Sequence, residues 1–284
     1  MIYRSHDSGL LRHVAAAVFI AVSIGRAQAA DMPDESWLRG SFTSDSPGYM
    51  RWDGLQIGAQ IGMSNMGADF GNAGSDQIAY ILRNTTLQNE YMPSSWTTLP
   101  KITTNARQYG VFVGYNWQWS ELVLGVDAAY NKPSTLEANA SDSIARQVIT
   151  SDGTTHNVSI SSSASLKLVD YATVRAKAGY AFGQFLPYGM MGVGIGRFNY
   201  STSSTVTDVW TPSGGGGSTT FGPNTQTDSK NNAVTAGFLV GLGMDVALLP
   251  NVFVRGEWEY IAFAPVGGIR AGLNTGRVGL GVRF

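Results

Sequence analysis

The chain has no cysteine, three histidines in 284 residues, and only 14% charged residues. Without cysteine there is no disulfide and no thiolate metal centre. The charged share lies well below the roughly 25% of ordinary soluble domains. Aromatic and β-branched residues are plentiful, which argues against a disordered chain. With 19 basic and 20 acidic residues the formal charge is −1, so no basic surplus points to nucleic acid. A phosphate-binding loop is missing as well: the glycines of Gly192-Val193-Gly194-Ile195-Gly196 alternate as in a strand. No spacing of residues calls for a cofactor or a metal.

Long hydrophobic runs are also scarce. Val14–Ile24 is apolar but about half the length that spans a bilayer as a helix. It follows Arg4, Arg12 and His13 and precedes Ala27-Gln28-Ala29, the pattern of a cleavable secretory signal over residues 1–29. Residues 30–50 are polar, with Pro33 and Pro47, and read as a flexible N-terminal segment that lies in the periplasm or tucks into the following domain. No later segment is apolar enough for a membrane helix. If residues 51–284 enter a bilayer, they do so as a closed barrel, the other structure that pairs every backbone group there.

What is abundant is alternation of period two. Val278, Leu280, Val282 and Phe284 share one face of the closing stretch, and Arg277, Gly279, Gly281 and Arg283 the other. Two arginines opposite an apolar face that ends in an aromatic fit a strand whose apolar side meets lipid. Similar patterns cover Gly54–Met63, Arg107–Trp117, Leu122–Tyr130, Tyr171–Phe182, about Pro187–Tyr200, Val234–Val246 and Val252–Ile261. The faces of Pro187–Tyr200 are ambiguous, and Arg197 is assigned inward. Connections alternate between long polar stretches, near 65–104, 132–163 and 201–230, and short turns. The expected fold is all-β: an eight-stranded antiparallel transmembrane β-barrel with short periplasmic turns and long extracellular loops. A soluble lipocalin-like barrel is the alternative.

These directions sort the side chains. Tyr109, Tyr130, Tyr200 and Tyr260 fall at the outer ends of lipid-facing positions. Tyr115, Trp117, Tyr180, Phe182, Tyr188 and Phe284 fall at the inner ends, giving two aromatic girdles. The inward face collects Asp127, Arg175, Lys177, Arg197, Asp245, Arg255, Glu257, Glu259, Arg277 and Arg283. Glu257 and Glu259 lie beside the last-strand arginines and Asp245 beside Arg255. An eight-stranded interior is just wide enough for side chains, so these charges form an ion-paired core or line a narrow pore. His156, the one histidine beyond the leader, sits in a Ser/Thr-rich stretch and reads as a solvated loop residue. No spacing marks a catalytic triad, and the chain is not expected to be an enzyme. Tyr80, Tyr91, Trp96 and Trp210 lie in the loops, as contact points for a host surface, lipopolysaccharide or a small ligand, or as self-packing.

Several motifs then converge. Gly114-Tyr115-Asn116-Trp117-Gln118 followed by Val123-Leu124-Gly125-Val126-Asp127-Ala128 resembles the second hairpin of the opacity-type surface antigens of alpha-proteobacteria. Trp52–Gly58, Pro187-Tyr188-Gly189, Arg255–Tyr260 and the terminal Val282-Arg283-Phe284 are similar to the same family. The resemblance spans nearly all of residues 50–284. It implies an eight-stranded, porin-like barrel in the outer membrane of a Gram-negative bacterium. It also implies that Phe284 is part of the signal read by the outer-membrane assembly machinery, and it supplies no catalytic residues. The loops depart most from the family. The expected function is a structural surface protein with loop-mediated contacts. A narrow, low-conductance porin is the alternative, and a hydrolase using His156 the third reading. The expected partners are outer-membrane lipid and lipopolysaccharide, the assembly machinery, and a host or surface ligand at the loops.

Overall fold

A strand crossing a bilayer must pair its backbone on both sides and turn apolar side chains to lipid. The computed structural model describes residues 51–284 apart from Asn72, and it meets both conditions. Its strands are β1 (Gly54–Gly71), β2 (Leu99–Trp119), β3 (Leu122–Pro133), β4 (Leu136–Ile149), β5 (Thr155–Tyr180), β6 (Phe185–Thr211), β7 (Thr219–Leu249), β8 (Val252–Phe263) and β9 (Arg270–Arg283). Two short helices, α1 (Ser75–Ile81) and α2 (Thr86–Tyr91), lie between β1 and β2. Each strand pairs antiparallel with its sequence neighbour except β3 with β4; β3 pairs instead with β5 over Leu122–Asn131, and β1 with β9 closes the ring. Only Ser134 and Thr135 separate β3 from β4, which together form one bent strand. The membrane-crossing ring therefore has eight strands. The turns β2–β3, β5–β6 and β7–β8 are short, and they face the periplasm; the other connections are extracellular.

The long polar stretches expected as loops are largely strand, which corrects the sequence reading. β1 runs on to Gly71, and β5, β6 and β7 extend far past the lipid zone. With β4 they form a four-stranded sheet above the membrane, in which β4 pairs with β5 alone. The signal for it lies in the alternation Val158, Ile160, Ala164, Leu166, Leu168 against Ser159, Ser161, Ser163, Ser165. The apolar set points inward here, over the barrel mouth, and the serines point out.

Below the rim the polarity of β5 reverses. Ala172, Val174 and Ala176 face lipid, and Tyr171, Thr173, Arg175 and Lys177 face inward. The apolar residues keep even numbers throughout. What changes is the backbone: an extra residue between Leu168 and Asp170 shifts the register against β6. A β-bulge of this kind moves every following side chain to the opposite face. A second irregularity in β7, opposite Phe198–Tyr200, does the same for that strand. There Asn232 has a positive φ of 58°. The bulges sit where lipid gives way to water, and in β5 the apolar face is outward below the bulge and inward above it.

Deleting Val169 is therefore expected to abolish folding, because it would carry Ala172–Tyr180 to the wrong face. Deleting Gly215 from the β6–β7 turn is expected to leave folding intact. Heat-modifiable mobility of the detergent-refolded variants on a gel checks both. A Val169 deletion that folds like the wild type would show that the bulge does not set the face.

Candidate functional site

Three charge pairs of the lumen are brought directly opposite one another by strand register: Asp127 with Arg175, Asp245 with Arg255, and Glu257 with Arg277. Directly paired positions in a sheet hold side chains within contact distance. Arg277 donates through Nε to Glu257 at 2.7 Å and through both terminal nitrogens to Glu259 at 2.6 Å. Arg175 Nη1 reaches the same two carboxylates at 2.9 and 3.3 Å. Arg255 grips Asp245 with two hydrogen bonds of 2.9 Å and donates to Asp127 at 3.1 Å. Lys177 lies 3.4 Å from Asp127 and donates to Gln56 at 3.2 Å. Four bases thus face four acids, and none of these side chains is more than 2% exposed. The Tyr188 hydroxyl lies between Asp245 and Glu257, 3.1 and 2.8 Å away.

This slab is closed at both ends by hydrocarbon. On the periplasmic side Trp52 and Phe112 pack against Phe253, with ring centroids 6.3 and 6.2 Å away. On the extracellular side Phe198 and Phe263 pack edge to face at 5.1 Å, among buried Leu239, Ile261 and Leu273. Inward glycines make room for these rings: a Cβ at Gly281 or Gly243 would run into Phe253 or Tyr188. Burial this deep leaves some groups without a protein partner, among them Nε and Nη2 of Arg175. Pairing offsets most of the desolvation of these charges.

Above the upper hydrocarbon layer the mouth carries a cap. Ile78 and Leu82, from α1 and its C-terminal end, and Leu87 of α2 join Val158, Ile160 and Val206 of the protruding sheet in one apolar cluster. Thr85 caps α2 by accepting from the Gln88 backbone N–H at 3.1 Å. The Tyr91 hydroxyl donates to the Ile149 carbonyl at 2.5 Å, and Glu90 accepts from the Ser151 backbone N–H at 2.9 Å. Beside the cap a recess of about 270 Å³ is lined by Leu87, Asp152, His156, Asp208, Trp210 and Phe221 among others. The Thr150 hydroxyl, bonded to Asp152 at 2.6 Å, holds that carboxyl below its ordinary range.

Most residues expected in the lumen are there: Asp127, Arg175, Lys177, Asp245, Arg255, Glu257, Glu259 and Arg277 form the network. Two are not. Arg197 is on the outer face, in phase with lipid-facing Val193 and Ile195, because Phe198 takes the inward position. It chelates Asp170 in the β5 bulge, which also accepts from the Tyr130 hydroxyl at 3.0 Å. Arg283 meets neither glutamate. Its guanidinium stacks 5.2 Å from the Trp52 ring and donates to the Pro250 carbonyl at 2.6 Å, at the periplasmic rim. The girdle needs two corrections. Tyr188 is 5% exposed and belongs to the luminal network, and Tyr200 is half-buried against the apolar core. Tyr109, Tyr115, Trp117, Tyr130, Tyr180, Phe182 and Tyr260 do face outward, and Phe284 is 74% exposed, its backbone N–H bonded to the Leu55 carbonyl at 2.9 Å. His156 is not a solvated loop residue. It lies on β5, mostly buried, with Nδ1 2.6 Å from Asp208. Among the loop aromatics Tyr80 stays exposed, while Trp96 donates to the Tyr91 carbonyl at 3.0 Å within the cap. Trp52 and the cap were missed: Trp52 precedes the first alternating stretch, and the cap helices are too short to show a helical period. The signal peptide, residues 1–29, and the segment 30–50 lie outside the described residues.

An apolar belt on a closed eight-stranded ring, a polar lumen and long hairpins at one end define a transmembrane barrel of the Gram-negative outer membrane. The chain belongs to the outer membrane protein beta-barrel domain family, whose model matches residues 14–284. Among solved structures, the attachment invasion locus protein Ail of Yersinia pestis shares 13% identity over 82% of this chain and 99% of its own, with a TM-score of 0.33. Neisserial surface protein A shares 12% over 81% and 97%, with a TM-score of 0.33. OprG of Pseudomonas aeruginosa shares 12% over 82% and 96%, with a TM-score of 0.35. Comparison with curated proteins finds no match.

Arg277→Ala would leave the buried Glu257 and Glu259 to share the single Nη1 of Arg175 as their hydrogen-bonding cationic partner. Losing one partner of a buried ion pair typically costs about 3–5 kcal/mol. Urea unfolding in detergent micelles is expected to show a loss of that order, against little change for Arg51→Ala, an exposed residue bonded only to Asp53.

Proposed function

We propose that this protein is a sealed structural barrel of the opacity-type surface antigens, and that its extracellular sheet and helical cap make its contacts with other molecules. The observation that carries this reading is the filled lumen: a neutral slab of eight charges between two hydrocarbon layers, under an apolar cap. A pore needs a continuous wet path, and an eight-stranded ring has no volume to spare beside such a core. The role is therefore non-catalytic and non-conducting: the barrel anchors and rigidifies, and the surface above it meets the environment. In this reading Phe284, exposed at the periplasmic rim, is offered to the assembly machinery. Planar-bilayer recording is expected to show no reproducible conductance steps for the wild type. Steps that change size on Arg175→Met or Glu257→Gln would instead favour the narrow-porin reading.

A hydrolytic reading rests on one observation, the 2.6 Å contact between His156 and the buried Asp208 beside the recess of the cap. An aspartate behind a histidine is how a general base is oriented. We expect no such activity: peptide and ester turnover by the pure barrel should be absent, and the same after His156→Ala. Turnover lost in that variant would establish the hydrolase.

A further inference from the structure

Four strands that are neighbours in the ring, β2, β3, β5 and β6, each carry a cation one outward position beyond the apolar belt. Arg107 follows Tyr109 toward the outside, Lys132 follows Tyr130, Lys167 follows Val169, and Arg197 follows Ile195. Lys132 lies opposite Tyr109 in register, and the Ser134 backbone N–H donates to the Arg107 carbonyl, so Arg107 and Lys132 are diagonal neighbours. Neither meets a carboxylate among the described residues. Lys167 is only loosely paired, 3.9 Å from Glu137, and Arg197 keeps its side chain 44% exposed beside Asp170. Farther out on β2 itself, Lys101 is held by Asp69 of β1 at 3.0 Å.

Directly above this arc, the outward face of the protruding sheet is built of small hydroxyls. Ser141, Ser163, Ser203 and Thr227 form one row across β4, β5, β6 and β7. Ser143, Ser161, Thr205 and Thr225 form the next. Both rows are free of charge. Hydroxyls of neighbouring strands bond to one another, Ser203 to Thr227 at 3.0 Å and Thr205 to Thr225 at 2.8 Å. Sheet geometry sets the grid at roughly 4.8 Å between strands and about 6.8 Å along them. A shallow groove of about 420 Å³ runs between the serines of β4, β5 and β6, with Asp142 in its lining, its carboxylate accepting from the Thr98 and Ser143 backbone N–H groups.

Lipid below, cations at the boundary and hydroxyls above reproduce, in order, the acyl chains, phosphates and sugars of one molecule. We infer that this side of the barrel binds a lipopolysaccharide of its own membrane. The phosphates lie between Arg107, Lys132 and Lys167, and the core sugars lie on the serine and threonine rows. Charge complementarity supplies the attraction, since guanidinium and ammonium groups are the natural partners of phosphate. The surface continues the lipid-facing belt without a break, so the acyl chains need no separate pocket. Each hydroxyl both donates and accepts, which suits a sugar of many hydroxyls. This deepens the reading of the extracellular sheet as the contact surface and rests on it.

The test uses the full mature chain, folded in phosphatidylcholine nanodiscs. Lipopolysaccharide with an intact core, a deep-rough form with most core sugars removed, and phosphatidylglycerol are titrated separately, and bound lipid is read by native mass spectrometry. The wild type is expected to prefer lipopolysaccharide over phosphatidylglycerol by at least about tenfold. The double variant Arg107→Ala, Lys132→Ala is expected to lose about thirtyfold in affinity, from two cations near an anionic surface, while its heat-modifiable mobility stays unchanged. Ser163→Glu with Ser203→Glu is expected to weaken binding of the intact-core form and to spare the deep-rough form. Equal binding of phosphatidylglycerol, or an unchanged affinity in the double cation variant, would overturn the site. An intact-core affinity untouched by the two glutamates would overturn the role of the hydroxyl rows. Bilayer conductance of the wild type is measured alongside, so a failed lipid site and a failed sealed-barrel reading stay distinguishable.

Discussion

Four cations and four carboxylates share the waist of the barrel, each side chain almost wholly buried. Removing ions from water is costly, and pairing offsets that cost without adding much. What such a network contributes is uniqueness. Asp127 faces Arg175, Asp245 faces Arg255 and Glu257 faces Arg277 only in one register of three strand pairs. A slip of one residue would turn a row of charges toward lipid. The network thus fixes which residues pair, and the filled lumen follows from that pairing.

The second constraint is the change of solvent along each strand. In lipid the apolar face must point out, and above the rim it must point in. A strand of fixed pleat does both only if its apolar residues change parity, as in β1, where outward Ile61 and Met63 give way to inward Met66, Ala68 and Phe70. β5 and β7 solve this with irregularities at the boundary, near Val169 and near Asn232. Arg197, Asp170 and Tyr130 collect at the same level, where a charge can stay wet while its neighbours remain in lipid. The cap helices then find an inward apolar surface on Val158, Ile160 and Val206. Each part of the extracellular architecture depends on the reversal at the rim.

That architecture divides the labour. Below the rim, side chains serve closure and membrane fit. Above it, the inner face of the sheet is occupied by the cap, which leaves the outer face and the hairpin tips to meet other molecules. The outer face is unusually plain, small hydroxyls on a regular grid, and two of its strands, β5 and β6, carry boundary cations below it.

The strand count, the direction of each strand and the lumen charges were legible in the sequence, because period-two patterning records which side of a strand meets lipid. Eight of the ten expected lumen charges follow from that parity alone. It failed at Arg197, where neither parity of Pro187–Tyr200 is cleanly apolar and only the packing of Phe198 decides the face. It failed at Tyr188, whose hydroxyl is drawn inward by Asp245 and Glu257 on strands distant in sequence. Arg283 was misassigned because its distance from Glu257 depends on where along β8 the chain end falls. The long loops were misread because above the rim the apolar residues turn inward while those in the membrane face out, so the β5 alternation Val158–Leu168 read as loop although it keeps the parity of Ala172–Ala176. Sequence determines which residues alternate. Only the tertiary structure decides which face looks inward, since bulges, cross-strand partners and the local solvent set that face, and none of them is local in the chain.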